Sequence, residues 1–116
     1  MIGLQQGEDH VNLEQDVKIR MFHGNGENGS KTHSKVELIE ALSEKSTIAR
    51  FIARRGEGIQ QLAISVNDIE HMITELTNNG VRMITPKPTI GAGGTKIAFV
   101  HPESTGGVLV ELVERK

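Results

Sequence analysis

The chain reads "KIAFVH" at residues 96–101 and "VELVE" at residues 110–114, and both stretches have an earlier counterpart. "KIRMFH" occupies residues 18–23 and "VELIE" residues 36–40, in the same order. Short segments that alternate apolar and polar residues are typical of β-strands. Two such segments repeated in the same order, with different loops between them, predict two copies of one β-hairpin unit.

The second copy has more sequence in front of it. "GIQQLAISV" at residues 58–66 alternates as a strand, and the following segment has a helical apolar stripe. Asn67 is the expected N-cap, with Glu70 three residues later, and Gly80 stands where a helix-ending glycine belongs. The stripe consists of Ile69, Met72, Ile73 and Leu76.

After this helix we expect a short strand, "VRMIT" at residues 81–85, a turn around the prolines 86 and 88, and the "GAGG" loop that leads into residues 96–101. The second copy is therefore predicted to be a β-α-β-β-β module. The repeat offset places the first copy's leading strand before residue 1, so the first module is expected to be incomplete. Residues 43–56 are predicted to form a linker helix, with Ser43 or Ser46 as its cap and Gly56 at its end.

Composition limits the possible functions. The 116 residues suffice for one domain, and a net charge of −2 with one small arginine cluster and no Trp or Tyr argues against a nucleic-acid partner. No cysteine is present, so disulfide and thiolate chemistry are excluded. No apolar run approaches the length of a membrane span, which predicts no membrane partner and a cytoplasmic location.

The repeat also brings polar residues into equivalent positions. Glu111 lies in the apolar strand "VLVELVE", and Glu37 is its equivalent in the first copy. Gln61 shares its strand face with the small residues Ala63 and Ser65, as expected for a cavity wall. Two carboxylates and an amide are hard oxygen donors that suit Mn²⁺, Mg²⁺ or Co²⁺. The alternative is that these residues lie on an edge or a solvated face of their strands.

Three segments resemble methylmalonyl-CoA epimerase, a family of the vicinal oxygen chelate (glyoxalase) superfamily. They are "LSEKSTIARFIARRGEGI", "GVRMI" and "IGAGGTKIAFVHPESTGGVLVELVE", and the likeness extends from about residue 35 to the C-terminus. The resemblance implies an α+β fold of paired β-α-β-β-β modules around a divalent metal ion (Co²⁺, Mn²⁺, Mg²⁺ or Zn²⁺).

The resemblance further implies a metal site formed by Glu37, Gln61 and Glu111, with Glu111 also a catalytic base. Where the family has a His-His pair, this chain has Gln60 and Gln61, and the histidine on the first module's leading strand has no counterpart. We therefore expect weak metal binding.

The implied function is that of an isomerase that interconverts (R)- and (S)-methylmalonyl-CoA by metal-assisted proton transfer at C2 through an enolate, with an acyl-CoA as the small-molecule partner. The alternatives are a non-catalytic or diverged vicinal-oxygen-chelate binding module and a glyoxalase-type lyase.

The expected organisation is a single glyoxalase-like domain over residues 1–116. Residues 1–42 form the remnant of the first module, 43–56 the linker helix and 57–116 the complete second module. Because an incomplete module exposes a sheet edge, a homodimer is expected whose interface includes the segment from Val17 to Ile39.

Overall fold

The computed structural model describes residues 4–25 and 31–115. These residues divide into two compact units, and the boundary between them lies between Gly58 and Ile59. The first unit contains β1 (Gln5–Asn12), β2 (Val17–Asn25), β3 (Lys31–Ala41) and α1 (Thr47–Arg55). The second contains β4 (Gln61–Val66), α2 (Ile69–Asn78), β5 (Thr89–Ile90), β6 (Lys96–Val100) and β7 (Leu109–Glu114).

The first unit is an antiparallel meander in the order β1-β2-β3. A turn joins β1 to β2, and Asp16 in this turn adopts the left-handed backbone conformation, with φ 58°. The Asp16 side chain accepts a hydrogen bond from Ser43 Oγ, and its carbonyl oxygen accepts one from the Leu42 N–H at 2.9 Å. These contacts fix the end of β3 against the β1–β2 turn.

Helix α1 begins and ends at residues that the sequence identifies. Ser46 is the N-cap, and its Oγ accepts a hydrogen bond from the Ile48 N–H at 3.1 Å. Gly56 ends the helix at φ 76°, a backbone conformation that favours glycine. A helix is therefore present within the predicted segment 43–56, with Ser46 rather than Ser43 as its cap, and it belongs to the first unit.

The second unit has the predicted element order β-α-β-β-β, and its strands lie in the order β4-β7-β6-β5. Strand β4 is parallel to β7, while the other neighbours are antiparallel. Helix α2 packs on one face of this sheet, and side chains from the helix and the strands together form the buried apolar core of the unit. That core consists of Ile69, Ile73, Ala98, Val100 and Leu112.

Two boundaries in the second unit differ from the sequence prediction. The leading strand begins at Gln61, later than expected, and the α2 N-cap is Asp68, not Asn67. Asp68 Oδ1 accepts a hydrogen bond from the His71 N–H at 3.1 Å, which is the contact that defines the cap. The C-terminal prediction is confirmed, since Gly80 follows the helix with φ 84°.

The prediction of a strand at residues 81–85 is wrong. Only Met83 forms a β-bridge there, with Val100, and the strand that pairs with β6 is the short β5 further along. Thr85 interrupts the pairing because its Oγ1 accepts the Phe99 N–H at 2.8 Å. Pro86, which has no N–H, then ends any continuation of the ladder.

The internal repeat is confirmed by strand register. In the first unit Lys18 is paired with Glu40, and in the second Lys96 is paired with Glu114. The same correspondence holds at all five pairs of the β6–β7 ladder, so residues 18–22 and 36–40 are equivalent to residues 96–100 and 110–114. The described part of the first unit thus matches the last three strands of the second.

Candidate metal and acid–base site

One face of the second sheet is covered by α2 and the other is not. Leu112 points to the helix side, where it is 4% exposed, so the alternation of β7 turns Glu111 to the helix-free side. Its neighbours in register are Ala63 on β4 and Phe99 on β6. Glu111 is half-buried there. The sequence prediction that it shares a face with Leu109 and Val113 follows from the same alternation.

Gln61 lies close to Glu111 on this face. Its Nε2 lies 3.5 Å from Glu111 Oε1, a distance at the outer limit of a hydrogen bond. Gln61 pairs in register with Leu109, and the next residues on its face are Ala63 and Ser65. Small side chains beside an amide and a carboxylate are what the sequence predicts for a cavity wall. The structure therefore brings together Gln61 and Glu111, two of the three residues predicted to bind a metal ion.

Glu37 occupies the equivalent position in the first unit. It is paired with Met21, as Glu111 is paired with Phe99, and it is exposed. Because Glu37 belongs to one unit and the other two residues to the second, its convergence with them on one ion stays a prediction.

A second group of carboxylates, missed by the sequence reading, surrounds the start of α2. Oxygen atoms of Asp68, Glu70 and Glu114 lie within 4.8 Å of one another. Asp68 caps the helix, and Glu114 Oε2 accepts the Ile69 N–H at 2.8 Å. Glu70 Oε1 accepts from Lys96 Nζ at 3.0 Å. Every carboxylate therefore has a protein partner, and the cluster is explained as a helix cap.

The contact between Glu70 and Lys96 changes the acidity of both groups. The hydrogen bond from Lys96 Nζ holds the pKa of the Glu70 carboxyl below its usual value. The same bond raises the pKa of the Lys96 ammonium group. The sequence does not predict this contact, because Glu70 and Lys96 lie 26 residues apart on different elements.

Among the described residues, neither helix is long or apolar enough to cross a lipid bilayer.

Comparison with known proteins identifies the family. Residues 1–99 match the model of the glyoxalase/bleomycin resistance protein/dioxygenase superfamily. Mitochondrial methylmalonyl-CoA epimerase of Dictyostelium discoideum is 40% identical over 84 residues, which are 72% of this chain and 51% of that protein. The chain thus spans about half the length of this relative. The uncharacterized protein YqjC of Bacillus subtilis is 36% identical over 100% of this chain and 78% of its own length.

Solved structures give the same result. A methylmalonyl-CoA epimerase in complex with methylmalonyl-CoA and NH4⁺ is 32% identical, with a TM-score of 0.65, and the match covers 97% of this chain and 77% of that one. This likeness confirms the α+β fold of the glyoxalase type that the sequence predicted. The chain belongs to the glyoxalase/bleomycin resistance protein/dioxygenase superfamily, and proteins named methylmalonyl-CoA epimerase are among its relatives.

Proposed function

We propose that the chain is a methylmalonyl-CoA epimerase, which interconverts (R)- and (S)-methylmalonyl-CoA by proton transfer at C2. The observation that carries the proposal is the half-buried carboxylate of Glu111 on the helix-free face of the second sheet, next to Gln61. Relatives and structural neighbours with this name support the choice of substrate. Because the chain matches only part of these proteins, methylmalonyl-CoA is a proposed and not an established substrate of this chain.

The reaction requires a base that reaches C2. The proton at C2 lies between a thioester and a carboxylate, so its removal gives an enolate whose charge is delocalised. Glu111 is the proposed base: its carboxylate takes the C2 proton, and the electron pair of the broken C–H bond moves into the enolate. Protonation of the enolate on the opposite face of C2 by water or a second acid completes the inversion, and Glu111 then releases its proton to solvent. Gln61 supports the base, because its amide lies at 3.5 Å and restricts the orientation of the carboxylate.

The proposed ligands of a divalent metal ion are Glu37, Gln61 and Glu111. Two of these donors meet on one face of the second sheet, and all three offer hard oxygens that fit such an ion. When bound, the ion would supply positive charge that stabilises the enolate oxygens. An amide oxygen is a weaker metal ligand than a histidine nitrogen, and the proposed site has three protein ligands. We therefore expect it to bind the metal ion more weakly than a four-ligand site that includes histidine.

A second candidate function is a binding module without turnover. It is favoured by Gln61, an exposed neutral residue at the position where the family has a histidine. In this case the open face would hold an acyl-CoA, and Glu111 would serve as a polar contact and not as a base.

Proton NMR in D2O distinguishes these functions. The chain, loaded with Co²⁺, is mixed with (S)-methylmalonyl-CoA, and the loss of the C2 proton signal is followed. We expect exchange with the native sequence and a decrease of roughly 10²–10⁴-fold for Glu111→Gln. Glu75→Gln, an exposed carboxylate on α2, is the matched control and should keep the native rate. Acyl-CoA binding without any exchange would favour the binding module.

The proposed assembly is a homodimer whose interface includes the segment from Val17 to Ile39. It is supported by β3, which lies at the edge of the first sheet and carries apolar side chains that are exposed in the single chain.

A further inference from the structure

Glu111 has a large neighbour on one side and a small neighbour on the other. Its register partner on β6 is Phe99, which is half-buried, and its register partner on β4 is Ala63, which is exposed. Side chains of directly paired residues lie on the same face of a sheet, so both residues flank the carboxylate on the helix-free face. An aromatic ring therefore lies on one side of the proposed base, and a single methyl group lies on the other.

The backbone hydrogen bonds of Phe99 show how closely it approaches Glu111. The Phe99 N–H donates to Thr85 Oγ1 at 2.8 Å, and the Phe99 carbonyl oxygen accepts from the Ile84 N–H at 2.9 Å. Both backbone groups are thus directed away from β7, which makes Phe99 and Glu111 a non-hydrogen-bonded pair. Antiparallel residues of this type have Cα atoms about 4.5 Å apart, the closer of the two spacings in such a ladder. The ring is therefore among the nearest side chains to the carboxylate.

The two flanks also differ in how firmly they are held. Strand β6 pairs with β7 on one side, and on the other side Met83 forms a β-bridge with Val100, next to the two hydrogen bonds of Phe99. Strand β4 is last in the order β4-β7-β6-β5, and every residue from Gln61 to Ser65 is exposed. The β6 flank can therefore limit the size of a group placed beside Glu111, whereas the small side chains of β4 cannot.

Polarity divides the same two flanks. Gln61 on β4 brings its amide to 3.5 Å from Glu111, whereas β6 contributes the apolar ring of Phe99. The proposed substrate carries one alkyl group and two oxygen-bearing groups, a carboxylate and a thioester, on the carbon that Glu111 deprotonates. A carboxylate beside the ring would lose hydration without gaining a hydrogen bond, and the face of an aromatic ring is electrostatically negative. The alkyl group is the substituent that matches the Phe99 side.

We propose that Phe99 determines which 2-alkylmalonyl-CoA the chain accepts. The 2-alkyl group packs against the ring, and the oxygens of the carboxylate and the thioester lie toward Gln61. A methyl group fits beside the ring, and each further methylene collides with it because β6 is held from both sides. This inference rests on the proposed function, since it assigns an orientation to that substrate. Phe99 acts as a specificity-determining residue and takes no part in proton transfer.

Proton exchange at C2 with two substrates tests this role. The Co²⁺-loaded chain is mixed in D2O with methylmalonyl-CoA or ethylmalonyl-CoA, and kcat/KM is measured for each. We expect the native chain to prefer the methyl compound by about tenfold or more, and Phe99→Ala to lower this preference by about tenfold. Phe99→Leu keeps an apolar side chain in the strand and should lower it by about threefold, which provides a readout if Phe99→Ala does not fold.

Two further variants act as controls. Ile97 lies on the same strand and face as Phe99 and is half-buried, but it is paired with Val113 and not with Glu111. Ile97→Ala should therefore keep the native preference, whatever it does to stability. Ala63→Val enlarges the opposite flank with a residue that suits a strand, and it should slow both substrates alike. A changed preference in Ala63→Val would mean that the alkyl group faces β4, which overturns the proposed orientation.

Binding measurements separate the role of Phe99 from the proposed activity. Isothermal titration calorimetry gives the ratio of the two dissociation constants in the native chain and in each variant, without any need for turnover. If the native chain exchanges the C2 proton but the Phe99 variants keep the native preference, or if Ile97→Ala lowers it equally, the role of Phe99 is overturned and the proposed function stands. If no exchange occurs, the proposed function fails. A ratio of dissociation constants shifted by Phe99→Ala and not by Ile97→Ala would then support the role of Phe99, and an unchanged ratio or no binding would overturn it.

Discussion

Replacement of Glu114 by alanine is expected to destabilise α2. Glu114 Oε2 accepts the N–H of Ile69, the first residue of the helix, at 2.8 Å, and Ile69 is fully buried. Without the carboxylate this N–H loses its partner at a partly buried position, which costs about 1–3 kcal/mol. The negative charge also interacts favourably with the helix N-terminus, by about 0.3–1 kcal/mol. We expect the free energy of unfolding to fall by about 2 kcal/mol in total.

Urea denaturation followed by circular dichroism measures this loss, and the repeat supplies the matched control. Glu40 is the equivalent residue of the first unit and is exposed. Glu40→Ala should therefore change the free energy of unfolding by less than about 0.5 kcal/mol. Glu114→Gln keeps an acceptor oxygen, so its free energy of unfolding should lie between those of Glu114→Ala and Glu40→Ala. Equal effects of Glu114→Ala and Glu40→Ala would refute the assignment of Glu114 as a helix cap.

Three further outcomes are expected. Gly91→Ala should lower the free energy of unfolding by about 1–3 kcal/mol, because a Cβ there would lie 2.9 Å from Ile97 Cγ2; Gly58→Ala, which meets no atom within 4 Å, is the control for thermal melting. The lowered pKa of Glu70 means that its ion pair with Lys96 stabilises the fold above the carboxyl's unfolded pKa and that this contribution disappears as pH falls through the folded value. The native chain should therefore lose more stability between neutral and acid pH than Glu70→Gln, and equal losses in urea midpoints would contradict this. Light scattering should give the mass of two chains at micromolar concentration, and a stable monomer would exclude the proposed homodimer.

Much of the fold is predictable because its signals are local or repeated. The hairpin equivalence predicted from four short segments is confirmed by the paired register of both ladders. Gly56 and Gly80 mark helix ends because their positive φ values exclude most other residues. The N-cap of α2 was misplaced by one residue because Asn67 and Asp68 are equally good caps in isolation, and the contact with His71 decides between them.

The candidate site is less predictable, because its contacts join distant segments. Strand alternation places Glu111 and Gln61 on the same side of the sheet, and the structure adds that they lie within 3.5 Å. The capping role of Glu114 was missed, since a side chain of the last strand reaches the first residue of a helix 45 positions earlier. The position of Glu37 relative to Gln61 stays a prediction, because no local pattern fixes the distance between residues of different units.

The parallel pairing of β4 with β7 also determines when the second unit can fold. Gln61 meets Leu109 across roughly 50 residues of intervening chain, whereas the β1-β2-β3 meander joins neighbouring strands, and pairing of distant segments slows folding through loop-closure entropy. During synthesis the meander can form while the rest of the chain is still being made. Strand β4 has no partner strand until residues 109–114 have left the ribosome. The second unit is therefore the part of the nascent chain that depends most on protection from aggregation.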